Sequence, residues 1–271
     1  MSASAPPPGR REYRCIGFER SGPLLRVVID HPDSPLNVVD EELHGELTGM
    51  ARDLRDEQEA RAIVLTAAGD TFSAGGDMAW FPRLRSVDAL ARLQIDARSL
   101  VLDFLDIPTP VIAALPGPAV GLGATIALLS DALIMADTAT LADPHVSAGL
   151  VAGDGGAAVW PLALGPARAK QYLFTGEPVD APTAVSVGLA TSAVPLDRLD
   201  DEATALAQRI AGQPPLAVRY TKLAVNKLVR DAVEQTLDTA AGYELLTFLS
   251  EDHAEAVKAF TERRPGRYEG R

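Results

Sequence analysis

The chain reads as an α/β protein in which strand-strand-helix units build a core and helices alone complete the C-terminal part. Three observations predict this. Short apolar runs such as "RAIVLTA" and "PVIAAL" have the length and continuity of buried strands. A glycine-rich turn and a helical pattern follow each of them, and beyond Asp154 the apolar spacing stays helical to the end. With 271 residues, 47% of them apolar and 23% charged, the chain suffices for one large domain or one domain with a small appendage.

Taken in order, residues 1–12 are rich in Ser, Ala and Pro and form an expected disordered leader. The α/β core is expected over 13–198 and a helical region over 199–271. "YRCIGFE" and "LLRVVID" flank the turn signal "RSGP" and read as a two-stranded hairpin. Asp40 is a plausible N-cap for "EELHGELTGMARDLRD", which has acids in its first turn and apolar residues at helical spacing. After the strand "RAIVLTA" comes a segment from Trp80 to Arg98 with helical patterning. Next stand a strand over 111–115, a Pro/Gly-rich turn, a helix from about Gly121 and a strand over 132–136. Helices are then expected over 155–164, 167–174, 181–187, 199–211 and 216–249. The last, "EDHAEAVKAFTERR", has an acidic start and a basic finish that suit its dipole.

Composition excludes several classes. A formal charge of −12, with no basic tract beyond a cluster near the C-terminus, argues against nucleic acid and anionic membranes as partners. The single cysteine, Cys15, has no internal disulfide partner, and "MSASAPPPGR" lacks the apolar stretch of a signal peptide, so the expected compartment is the cytoplasm. The longest apolar runs fall well short of the roughly 20 residues that span a bilayer.

Two glycine-rich turns carry the first chemical signal. "TFSAGGDM" follows one buried strand and "PGPAVGLGATIAL" follows the next, placing backbone N–H groups where a ligand can approach closely. Two such donors aimed at one point make an oxyanion hole. Alone, either motif is better read as a tight turn; their shared context favours function. Neither fits a dinucleotide or P-loop fingerprint. The second signal is "PHVSAGLVAGDGG". His145, one of four histidines, is suited to proton transfer near neutral pH. Asp154 can orient that ring as a triad carboxylate does, or simply cap the helix that follows. Ser73 and Ser147 lack a nucleophile elbow, and no metal-ligand spacing is evident.

These segments, with "YLFTGEPVDAPTAVSVGLATSAVP" and "FLSEDHAEAVKAFTERRPGRYEG", resemble the enoyl-CoA hydratase/isomerase (crotonase) superfamily from Tyr13 onward. The resemblance implies a spiral of strand-strand-helix units and a C-terminal helical region that assembles homotrimers, often paired as hexamers. It also implies an acyl-CoA thioester substrate, with CoA entering only as part of it and no separate cofactor. The thioester oxygen would lie between the Gly76 and Leu122 N–H groups, with Ala74, Gly75, Asp77, Gly121 and Thr125 as substrate-binding positions. Fixed donors there stabilise an enolate as it forms. Thr125 and His145 stand where hydratases of the superfamily carry two glutamates. The Thr125 hydroxyl is expected only to bond back to a helix carbonyl.

The His145/Asp154 segment resembles the branch typified by 6-oxocamphor hydrolase, which cleaves a carbon-carbon bond in a β-diketone with such a pair. That likeness implies two further active-site residues, His44 and Glu244. On the residues alone, His44 reads slightly better as packing, and Glu244 stands even between packing and catalysis. Arg263, Arg264 and Arg267 read first as cations compensating a helix C-terminus, with CoA phosphates as the alternative. Three functions are carried forward: an acyl-CoA hydratase or isomerase with His145 and Asp154 as acid-base pair, a β-diketone hydrolase, and a non-catalytic acyl-CoA-binding subunit.

Overall fold

The computed structural model describes residues 11–271. The leader expected over 1–12 lies outside them except for its last two residues. The hairpin forms as strands β1 (Ile16–Ser21) and β2 (Leu24–Ile29), which pair antiparallel. Helix α1 (Glu41–Arg55) follows, and the Asp40 carboxylate accepts from the Leu43 N–H, the cap the sequence predicts.

Strand β3 (Ala62–Ala67) is buried throughout, as is β4 (Val111–Leu115). Between them lies α2 (Val87–Leu105), capped by Ser86. Helix α2 starts later and runs further than the Trp80 to Arg98 patterning suggests, because residues 81–83 form a separate 3-10 turn with Pro82 near its start. Strand β5 (Ala119–Val120), helix α3 (Leu122–Leu129), and strands β6 (Ala132–Ala136) and β7 (Thr140–Ala142) come next. The chain continues through α4 (Gly156–Leu164), α5 (Pro166–Thr175), β8 (Val179–Asp180), α6 (Ala181–Val187) and β9 (Ser192–Val194). Helices α7 (Leu199–Ala211), α8 (Pro215–Phe248) and α9 (Glu251–Thr261) complete it.

The main sheet runs β1-β2-β3-β4-β6-β9 and is parallel from β2 onward. A smaller sheet, β5-β7-β8, lies in the loops beyond it. These short strands are too brief to show a period of two, which is why the sequence does not reveal them. The order makes each unit climb from a main-sheet strand into the smaller sheet or a bridge and then into a helix. Ligand-facing turns therefore collect beyond the carboxyl ends of the parallel strands. Helix α7 packs across β3, β4 and β6, covering one face of the sheet. Among the described residues no helix is long and apolar enough to cross a membrane.

Candidate active site

One cavity of about 880 Å³ receives most of the residues singled out by sequence. Its wall includes His44 from α1, Ala74 to Asp77 from the turn after β3, and Gly121 and Leu122 at the start of α3. His145 opens a 3-10 turn (His145–Ala148), Asp154 comes from the loop after it, and Glu244 comes from α8. Residues spread over 200 positions of sequence thus share one space. Thr125 is the exception: it is fully buried and off the cavity wall, and its hydroxyl finds no hydrogen-bond partner rather than a helix carbonyl.

Local geometry explains the two glycine turns. Gly121 sits at φ +55°, ψ −121°, a conformation a side chain disfavours, and its N–H donates to the Ala142 carbonyl at 2.9 Å. This fixes the entry into α3, so that the Leu122 N–H, in the first turn, has no intrahelical acceptor. At Gly76 a Cβ would come within 2.5 Å of the Phe81 ring. Val39 bridges to this turn: its N–H donates to the Gly75 carbonyl and its carbonyl accepts from the Asp77 N–H. Gly76 N–H is skipped by that pattern. Among the described residues neither the Gly76 nor the Leu122 N–H donates to any group. Ser73 Oγ donates to the Asn37 carbonyl at 2.8 Å, a structural use of the hydroxyl. The Asp77 carboxylate accepts from the Ala79 N–H and shapes its own turn.

His145 is bracketed by acids. Its Nδ1 lies 2.5 Å from Asp143 Oδ1, and its Nε2 lies 3.4 Å from Asp154 Oδ2 and 3.9 Å from Glu244 Oε1. Its Cε1 edge borders Gly121, 3.4 Å from where a Cβ would stand. Burial works against the ring's charge, but Asp154 and Asp143 outweigh it and hold the pKa well above the ordinary histidine value. Burial also works against the Asp154 charge, and the His145 ring overcomes it, holding Asp154 below the usual carboxylate range. Glu244 goes the other way. Burial pushes it up to about 8, reinforced by Asp154 and Asp143 and opposed by His145. At neutral pH the ring carries its proton, Asp154 is ionised and Glu244 is mostly a neutral acid.

Asp143 is the residue that sequence reasoning missed. It is fully buried two positions before His145, and its second oxygen presses on Gly156, where a Cβ would stand 1.9 Å away. The signal available was the Asp-Pro-His triplet itself, which resembles an ordinary turn. Asp154 does not cap α4: the cap position is Gly155, at φ +121°, without a side-chain bond, and Asp154 Oδ1 is buried and unpartnered. Asp143, His145 and Asp154 offer donor atoms within 4.8 Å of one another. Both ring nitrogens already face carboxylates, which suits an ion-paired imidazolium better than a metal ligand. Arg264 is tied to Glu255 and Glu262 beyond the end of α9, whereas Arg263 reaches the cavity rim.

The loops of this mostly parallel-stranded fold thus bring two N–H groups without acceptors and a buried cluster of one histidine and three acids to one cavity. The family model described as "Enoyl-CoA hydratase/isomerase" matches residues 19–271, and the chain belongs to that family. It is 33% identical over 256 residues to the probable enoyl-CoA hydratase echA8 of Mycobacterium bovis, covering 93% of this chain and 96% of the relative. Among solved structures it is similar to an enoyl-CoA hydratase/isomerase from Mycobacterium paratuberculosis, at 40% identity and TM-score 0.87, covering 92% of this chain and 99% of the other. It is also similar to a β-diketone hydrolase from Anabaena bound to (S)-3-oxocyclohexyl acetic acid, at 28% identity and TM-score 0.83, covering 88% and 95%.

Proposed function

We propose that the chain processes an acyl-CoA thioester through an enolate. The thioester oxygen lies between the Gly76 and Leu122 N–H groups, and the cluster around His145 moves the protons. The observation that carries this reading is that one cavity holds both unpaired N–H groups and the charged ring beside them. The oxyanion then meets two dipoles and a nearby positive charge, each stronger in a water-poor site than in bulk solvent.

Proton roles follow from the protonation states. Asp154, ionised and on the cavity wall, takes a proton from water or from a substrate carbon. Glu244, neutral at pH 7, delivers one to the enolate carbon. His145 Nε2 lies between Asp154 and Glu244 and returns the proton from one to the other after each turnover. For hydration, water oxygen bonds to the β-carbon as the π electrons move to the thioester oxygen, and the α-carbon takes the Glu244 proton. Exposed apolar side chains along α8, among them Leu216, Tyr220, Val225 and Leu228, support a homo-oligomeric assembly, a trimer or a pair of trimers.

A second reading is favoured by the meeting of His44, His145, Asp154 and Glu244 in one cavity. It is hydrolysis of a CoA-free β-diketone, with Asp154 activating water against a carbonyl. Incubating the protein with enoyl-CoAs and with cyclic β-diketones, followed by mass detection, separates the two. Hydration or isomerisation of a thioester is the expected result; turnover of diketones alone overturns it.

A further inference from the structure

The cavity wall contains a polar group that the proton transfers leave unused. His44 is 6% exposed, lines the cavity and sits with its ring 5.7 Å from that of Trp80. Trp80, Leu93, Ala97, Leu150 and Phe248 give the cavity apolar lining, while Asp96 and Asp154 lie near enough for their charges to act on the His44 ring. Among the described residues its ring nitrogens have no hydrogen-bond partner. The other three histidines differ. His31 accepts from the Asp33 N–H and meets Asp40, His145 is held by Asp143, and His253 Nδ1 bonds the Ala148 carbonyl at 2.7 Å.

Burial lowers the pKa of His44, with Asp96 and Asp154 opposing, so the ring is neutral at pH 7 and offers one N–H and one lone pair. A buried polar group without a partner is costly, and a ligand oxygen that supplies the partner recovers that cost. A largely apolar cavity with a few placed polar groups is how sites fix orientation and select for a polar substituent. The rim of the same cavity, by contrast, is open, with Leu36 and Phe260 both exposed. Gly76, Leu122 and His44 line the same cavity, so an acyl group whose thioester oxygen meets the two N–H groups has the rest of its chain in the space that His44 borders.

We propose that the acyl group carries a second oxygen function, a ketone or hydroxyl a few bonds beyond the reacting carbons, and that His44 binds it at the cavity wall. This rests on the reading of the Gly76 and Leu122 wall as the thioester end. The substrate class is thus an oxo- or hydroxyacyl-CoA rather than a plain fatty acyl-CoA. His44 acts as a specificity-determining residue.

The test is calorimetric binding of hexanoyl-CoA and its 4-oxo and 5-oxo analogues to the full chain, with the corresponding free acids in parallel. The wild type is expected to bind at least one oxo thioester about tenfold more tightly than hexanoyl-CoA. His44→Phe, which keeps the ring volume, abolishes that preference, and His44→Gln, which keeps a donor, retains part of it. Equal binding of all three thioesters by the wild type overturns the proposal and leaves the thioester reading intact. So does a preference that His44→Phe leaves unchanged, or an equal weakening of all three ligands by that variant. An oxo preference seen with the free acids alone, with no thioester bound, upholds the His44 subsite and removes the thioester reading.

Discussion

Glu244 links the site to stability in a way that separates a buried neutral acid from an ionised carboxylate. Its pKa is about 8 in the folded chain against an ordinary value of 4.5. Between those values the folded state holds a proton that the unfolded state has released. The stability contributed by this group is complete below the lower value and is lost as pH rises through the upper one, at about 1.4 kcal/mol per pH unit. From about pH 5.5 to about pH 7.5 the wild type therefore loses about 3 kcal/mol through Glu244. Glu244→Gln mimics the protonated form, so its neighbours see the same charge over this range while the slope disappears. Guanidinium unfolding followed by circular dichroism at fixed protein concentration, for both proteins at three pH values, measures the difference. The gap in stability between variant and wild type widens in favour of the variant by about 3 kcal/mol across the interval. Parallel curves would refute the reasoning, because they require Glu244 to be ionised in the folded state throughout.

Asp143→Asn removes the charge held 2.5 Å from His145 Nδ1, so the ring loses its proton at lower pH and its orientation loosens. A fall in kcat of roughly 100-fold or more, with a displaced pH profile, is expected from stopped assays, by analogy with triad carboxylates. Gly156→Ala drives a methyl to within 1.9 Å of Asp143 Oδ2 and should give the same kinetic defect plus about 1–3 kcal/mol of destabilisation in thermal unfolding. Lys222 is the contrasting control. It is buried against Asp131 at 2.6 Å and donates to the Thr109 carbonyl, far from the cavity wall. Lys222→Met should cost about 3 kcal/mol in denaturant titration while leaving kcat/KM within about twofold at low temperature.

The elements that a sequence reveals best are those whose signal is local. The Asp40 cap, the buried run of β4, and helices α6 and α7 lie where caps and apolar spacing put them. The turns "SAGGD" and "GLGAT" were legible because glycine at those positions is a backbone requirement. What stayed hidden depends on long-range assembly. Whether His44 and Glu244 reach the cavity turns on how α1 and α8 pack, 200 residues apart in sequence, and no local pattern encodes that. Asp143 was invisible for a different reason: its role appears only when β7 and the following turn bring its carboxylate against the ring it precedes by two positions. Asp154 misses the cap position by one residue: α4 starts at Gly156 with Gly155 as its cap, and the Asp154 carboxylate lies 3.4 Å from the His145 ring while the Gly156 N–H also helps to hold its charge.

Acid-base catalysis by two carboxyl groups needs them in opposite protonation states at one pH, and the surroundings must supply the difference. Here the difference arises around a single ring. The imidazolium that Asp143 helps to hold keeps Asp154 ionised at 3.4 Å, while Glu244, further from the ring at 3.9 Å and near both aspartates, gains less from that charge than burial and repulsion take away. Asp143, off the cavity wall, makes this possible: without it, one carboxylate would have to both hold the ring and exchange protons. With it, Asp154 shares the ring with a second carboxylate, which leaves it able to act as the base in the proposed reaction. In the proposed mechanism, two aspartates with one histidine would thereby supply, by a different route, the split between base and acid that the family resemblance assigns to two glutamates. It also puts a positive charge against Gly121, next to the proposed donor Leu122, which in that mechanism favours substrates whose enolate charge stays on oxygen through the slow step.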